Sequence, residues 1–295
     1  MTTAGAARLL SLAAIWGGSY LFMRIAAPEI GAYWVAETRL VLAAVFLSLT
    51  ALWLKRSLQA ARYWRHYLVL GIFNSALPFL LFAYAATTLS ASLLSIINAT
   101  APLWGALIAA GLGRQELDWR RGVGLALGFV GVGVLVGMDS AIASSAAVAP
   151  LVAALVATFC YGIASTYAVS APSAGSFSNA HGSLWASALL ILPAAMFIPV
   201  PDSPSPTSLW SLVILGVVCS GVAYMLYFKL IEDDGATSAL SVTFLIPLFG
   251  VLWGYLFLDE TVGWHTLVGG LLVLGGTALV TGLLPRSLRI SRQAD

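Results

Sequence analysis

The chain has 295 residues, of which 60% are hydrophobic and 9% charged, against about 25% charged in soluble domains. Such a composition excludes a soluble globular domain and requires an integral membrane protein. The formal net charge of +2 is too small, and the basic residues too scattered, to imply a nucleic-acid partner.

In chain order, ten apolar runs stand out, at about residues 9–27, 34–54, 66–86, 90–112, 120–138, 148–169, 179–199, 208–229, 236–257 and 264–284. Each is about 18 to 23 residues long, enough for a helix to cross some 30 Å of hydrocarbon at 1.5 Å per residue. None alternates with period two, which argues against strands. The first run reads as a true span and not a cleaved signal peptide, because Arg24 is badly placed before the small residues Ala26 and Ala27. The short loops between runs leave no room for a soluble domain, so function must reside within the membrane.

The text from Phe79 to Gly137 returns from Tyr224 to Gly282 at a constant offset of 145 residues. Ala91 meets Ala236, Pro102-Leu103 meets Pro247-Leu248, Gly105 meets Gly250, Trp119 meets Trp264, and Trp16-Gly17 meets Tyr161-Gly162. The fold expected is therefore an all-α membrane protein of ten transmembrane helices, in two five-helix repeats at residues 5–139 and 148–284 that meet near Asp139 to Ala149. An odd number of crossings turns the second copy over, so the repeats are expected to be inverted. With both termini in the cytoplasm, every Lys and Arg except Arg24 and Arg39 falls on the cytoplasmic side, including Arg286, Arg289 and Arg292 near the end. Multi-pass insertion in the bacterial inner membrane is the matching localisation.

Chemistry-bearing motifs are missing. No HExxH, nucleophile elbow, P-loop or metal-spaced cluster occurs, His66, His181 and His265 fall near run ends, and Cys160 and Cys219 read as small buried hydrophobes. The expectation is a protein that is not an enzyme, with no cofactor and no metal, and secondary or passive transport.

In an inverted repeat, only midplane positions keep their depth when one copy is turned over, so paired positions point to a substrate site. Trp16 pairs with Tyr161, Phe79 with Tyr224, Phe82 with Tyr227 and Trp104 with Phe249, each aromatic in both copies. Ser19, Tyr20 and Ser165 add hydroxyls on the first and sixth runs, and Asn74 and Asn98 are amides too costly to face lipid. Gly17 and Gly162 are expected to leave open backbone beside the rings. Trp119 and Trp264 read as interfacial anchors. The glycine spacings Gly124 to Gly128 and Gly133 to Gly137 read as packing within the fold. Candidate gating residues are Pro102 and Pro247, each expected to begin a half-helix, with Arg24, Glu37 and Arg39. Glu37 and Arg39, two apart, point away from each other, so Arg24 is the expected partner of Glu37.

The twofold repeat, Trp16-Gly17-Gly18-Ser19, Glu37-x-Arg39-Leu40, the two Pro-Leu pairs, and Glu116 and Glu260 ahead of Gly-rich runs resemble the drug/metabolite transporter superfamily with EamA-type repeats. Within it the chain looks most similar to bacterial amino-acid exporters of the YddG type. The resemblance implies alternating-access export of small amphipathic metabolites, amino acids including aromatic ones, with other metabolites or cationic drugs as the alternative. The implied partners are a small-molecule substrate and the lipid bilayer, and the implied working unit is a monomer. Arg39 departs from twofold symmetry, since Leu184 stands at its place in the second copy.

Overall fold

A computed structural model describes residues 3–137 and 145–282. Arg286, Arg289, Arg292 and the repeat boundary from Asp139 to Ser144 lie outside the described residues. Among the described residues, nine helices are long and apolar enough to cross a membrane: α1 Thr3–Ile30, α2 Ala32–Trp53, α3 Ala60–Ala86, α4 Ala91–Gly111, α5 Trp119–Gly137, α6 Ser145–Ser170, α8 Pro206–Gly235, α9 Ser238–Leu258 and α10 Trp264–Thr281. The tenth, α7, is Ser176–Ile191 and continues as a 3₁₀ turn from Leu192 to Met196. The run expected to reach residue 199 as one helix stops early because Pro193 carries no N–H and its ring crowds the carbonyl four residues back.

Two helices are loosened at matching places. A π-helical segment, Gly71–Ala76, precedes Pro78 in α3, and another, Ile214–Val222, occupies the equivalent stretch of α8. A half-helix beginning at the proline is found only once. α4 breaks at Ala99–Thr100, directly ahead of Pro102, whereas α9 breaks farther from its proline, at Ser241, and then runs helical from Val242 through Pro247 to Leu258. The reason lies in the freed carbonyls, which hydrocarbon cannot satisfy. In α4 the Thr100 hydroxyl donates to the carbonyl of Ile97 (2.7 Å) and the Thr277 hydroxyl to that of Ala99 (2.8 Å). The equivalent positions of the second copy are Leu245 and Val132, which have no hydroxyl to offer; there Ser241 and Thr243 donate instead to the carbonyls of Ser238 (2.6 Å) and Leu240 (2.8 Å), at the earlier break.

Contacts between helix ends define two faces. On one, Arg8 at the start of α1 pairs with Asp233 near the end of α8. Ser48 near the end of α2 meets His181 of α7 (2.8 Å), and His66 of α3 meets Tyr167 of α6 (3.3 Å). This basic face also carries Lys55, Arg56, Arg62, Arg65, Arg114, Arg120 and Arg121. On the opposite face the Tyr33 hydroxyl donates to the Ile191 carbonyl (3.2 Å), and Glu260 accepts from the N–H groups of Ala91 and Ser92 at the start of α4 (2.6 and 3.0 Å). Glu29 accepts from Ser205 and Ser208 at the start of α8.

The repeats are inverted copies and pack reciprocally. α1 crosses α9 as α6 crosses α4, and α5 crosses α10 on the symmetry axis. Lipid tails are as apolar as the side chains, so close backbone approach replaces the hydrophobic effect at these crossings. A Cβ on Gly17 would lie 2.7 Å from Cβ of Phe249, and one on Gly162 would lie 2.8 Å from Cβ of Trp104. The backbone expected to stand open beside the rings is therefore filled by the crossing helix. On the axis, Cβ atoms on Gly124 and Gly131 would meet the carbonyls of Gly276 and Gly269 at 2.7 and 2.8 Å. Gly124 and Gly128 are consumed within the fold, while Gly133 and Gly137 face open space.

Gly131→Val should therefore destabilise the detergent-solubilised protein by about 1–3 kcal/mol, as overpacking does, while Gly133→Val leaves the melting temperature unchanged. Equal effects of the two substitutions would refute the crossing geometry.

Candidate functional site

Between the two loosened helices the bundle centre is lined with rings. Trp16 of α1 lies 5.4 Å from Tyr227 and 6.5 Å from Tyr224 of α8. Its twofold equivalent, Tyr161 of α6, stacks on Phe82 of α3 at 6.3 Å, and Phe82 also meets Tyr20 at 5.6 Å. Tyr224 lies beside Asn74 and Ser75 of the α3 π segment. Seven of the residues expected at the site are thus joined through ring contacts or through the cation beside them: Trp16, Tyr20, Phe79, Phe82, Tyr161, Tyr224 and Tyr227.

That cation is Arg39, 6% exposed. Its guanidinium carbon sits 3.9 Å from the Phe79 ring centroid, Nε donates to Ser220 Oγ (2.9 Å) on the α8 π segment, and Nη1 points at Met23 Sδ (3.8 Å). Tyr20, Tyr161 and Tyr224 are all within its electrostatic reach. Among the described residues no carboxylate pairs with it. A guanidinium held on an aromatic face with no carboxylate paired to it can receive an anionic group.

The expected Arg24–Glu37 pair does not form. Arg24 Nη1 donates instead to the carbonyls of Ala86 (3.0 Å) and Thr87 (2.8 Å), tying α1 to the end of α3. Glu37 is 3% exposed, and neither of its oxygens has a hydrogen-bond partner. It shares a helix face with Tyr33 and Ser48, both bonded to α7, on the far side of α2 from Arg39. The carbonyls at the end of α3 need a donor in hydrocarbon, and they hold Arg24 there.

Other expected members lie elsewhere. Trp104 donates to Thr158 (3.0 Å) and packs on Phe129 and Phe159, and Phe249 packs on Trp253, so this pair fills helix crossings outside the central rings. Ser19 is buried beside Cys219. Ser165 returns its hydroxyl to the Gly162 carbonyl (3.0 Å), and Asn98 ends the first segment of α4, half-buried. Ser220, Met23 and Phe228 are central residues that sequence reasoning missed. Ser220 was findable, because Ser75 stands at the same place in the first copy.

Inverted copies in identical surroundings would be equally buried, and these are not. Tyr20, Met23, Phe82 and Ala83 are buried, while their equivalents are exposed (Ser165, Ala168) or half-buried (Tyr227, Phe228). α1 packs on the second half of α3 and the first half of α4, and among the described residues α6 forms no such packing with α8 or α9. The packing of α1 on α3 and α4 closes the bundle toward the opposite face, and the equivalent cover by α6 is missing toward the basic face. Arg24 reinforces the closed side; its equivalent, Val169, is apolar and 88% exposed.

The profile of the EamA-like transporter family matches residues 3–137 and 149–282. An uncharacterized transporter of Archaeoglobus fulgidus is 26% identical over 281 residues, 90% of this chain and 93% of that protein. Protein PecM of Dickeya dadantii is 27% identical over 221 residues, 74% of this chain and 73% of that protein. The uncharacterized transporter YoaV of Bacillus subtilis is 20% identical over 279 residues, covering 92% and 95%. One solved crystal structure shares the fold, with a TM-score of 0.64 at 16% identity, covering 96% of this chain and 98% of the other.

Two outcomes follow from the charged residues. Loss of two charge-assisted bonds in Arg24→Leu should open the closed face, so that Ala83→Cys in a background lacking Cys160 and Cys219 labels at least about tenfold faster with an impermeant maleimide. An unchanged rate would deny Arg24 the role of a latch. A buried polar group without a partner costs about 1–3 kcal/mol, so Glu37→Met should raise the melting temperature by ~2–10 °C. A fall would mean that the carboxyl is paired in the working protein.

Proposed function

The chain belongs to the EamA-like transporter family, and from that premise we propose that it exports small amphipathic metabolites, amino acids including aromatic ones, across the bacterial inner membrane. Transport in this reading proceeds by alternating access in a monomer. The observation that carries the reading is Arg39, a buried cation with no paired carboxylate among the described residues, held on the Phe79 ring with Tyr161 and Tyr224 within its electrostatic reach. Its guanidinium receives the substrate carboxylate, and the rings receive an apolar or aromatic side chain. Cationic drugs fit less well, because the only charge among the central rings repels them.

By the positive-inside rule the basic face is cytoplasmic. Solute then enters from the cytoplasmic side, where α6 leaves the centre uncovered, while Arg24 and the Glu260 cap hold the external side shut. Release outside requires α1 to part from the end of α3 and the equivalent half of α6 to close on α8. The loosened turns in α3 and α8 flank the site and supply give at its depth.

Counterflow of labelled L-phenylalanine, L-tryptophan and L-leucine in proteoliposomes tests the reading. A hydrogen bond to a charged group is worth about 1.5–3 kcal/mol, so Arg39→Gln should slow counterflow by at least about tenfold with its melting temperature retained. Trp16→Ala and Tyr161→Ala should impair aromatic substrates more than leucine. Full activity of Arg39→Gln would remove the carboxylate site from the centre.

A further inference from the structure

We propose that the central site favours aromatic carboxylic acids that lack the α-ammonium group, such as 2-oxo acids, over the corresponding zwitterionic amino acids. The inference rests on reading the Arg39 cluster as the substrate site and concerns the charge that this site can neutralise.

The charge inventory around the rings is one-sided. Among the described residues Arg39 is the sole formal charge there, and the carboxylates near the transmembrane core are engaged or aimed elsewhere. Glu37 lies on the other side of α2, toward α7. Glu29 is taken by Ser205 and Ser208, and Glu260 by the start of α4. Asp233 pairs with Arg8 and Lys229 at the basic face. The remaining polar groups near Arg39 are neutral: Ser220, Asn74 and the tyrosine hydroxyls.

Binding strips water from every charge that enters. A monoanion loses one hydrated charge and regains one ion pair, so the occupied site is neutral. A zwitterion loses two and regains one. Its ammonium, carried on the carbon beside the carboxylate, is also brought toward the guanidinium, where like charges in a poorly screened interior repel. Ring faces and hydroxyls offset part of that cost, as cation–π contacts do, but no anion completes it. The amino acid is therefore a carried but poorer ligand, and an amine without a carboxylate is poorest of all. Net charge adds a second distinction: the acid moves one negative charge per crossing and responds to membrane potential, while the zwitterion moves none.

The test uses wild-type proteoliposomes exchanging labelled L-phenylalanine, with phenylpyruvate, unlabelled L-phenylalanine and phenethylamine as competitors. Phenylpyruvate should inhibit at a concentration at least about tenfold lower than L-phenylalanine, and phenethylamine should be weakest. In Arg39→Gln the advantage of phenylpyruvate over L-phenylalanine should vanish, measured as competition so that a slower variant still reports it. A valinomycin-set potassium potential, negative inside, should speed efflux of labelled phenylpyruvate and leave efflux of labelled L-phenylalanine unchanged. Equal or better competition by L-phenylalanine, or strongest competition by phenethylamine, would overturn the proposal while leaving aromatic transport standing. Failure of both labelled solutes to exchange would overturn the proposal together with the functional reading beneath it.

Discussion

Close backbone contact between helices is the constraint from which the rest of this structure is built. In hydrocarbon, burying one apolar surface against another gains little over burying it against lipid, so helices adhere where small residues let main chains meet. Gly17 on Phe249–Gly250 and Gly162 on Trp104–Gly105 set the two side crossings, and the glycines of α5 and α10 set the axial one. A contact on a twofold axis must be self-complementary, which glycine facing glycine achieves without any fitting of side chains. With those crossings fixed, the loosened stretches of α3 and α8 are brought to the same central depth, and the rings and Arg39 fill the space between them.

Against that symmetry the departures are informative. Arg24 faces the role of Val169, Arg39 that of Leu184, and Glu37 that of Gly182. All three charges belong to the first copy. Arg24 satisfies carbonyls at the end of α3, and its twofold equivalent, Val169, has no side-chain donor to offer. The two ends are therefore covered unequally, α1 packing over the face opposite the basic one and α6 leaving its equivalent exposed. Arg39, lying off the axis, gives the centre a single charged pole in place of two matching ones.

Much of the fold was legible because hydrophobic length and the repeat offset are strong signals. The ten spans, the two copies and their inversion all follow from them, and Pro193 marked the early end of α7 in the sequence itself. The site was legible in depth but not in direction. Paired aromatics identify residues at one level of the membrane, and so Trp104 and Phe249 looked equivalent to Trp16 and Tyr161 although they face crossings instead. The same limit misplaced Arg24, whose helix-end acceptors are main-chain atoms with no letter in the sequence. Pro102 and Pro247 read alike, yet hydroxyls that donate to freed carbonyls stand directly ahead of the first and farther ahead of the second, so the breaks fall at different distances from the prolines. The π segments left no pattern to find, since a widened turn changes hydrogen bonding without changing residue type.

Those widened turns also carry a history. A π segment differs from α-helix by one additional residue accommodated in a turn, so it is the lasting trace of an insertion. Gly71–Ala76 and Ile214–Val222 overlap when the second copy is laid on the first, and the 145-residue offset holds on both sides of them, from Trp16 and Tyr161 to Gly137 and Gly282. Two independent insertions would have had to occur at one place to leave the register so undisturbed. A widened turn already present in one five-helix unit before it was doubled accounts for both segments at once, with the charges around them differing between the copies.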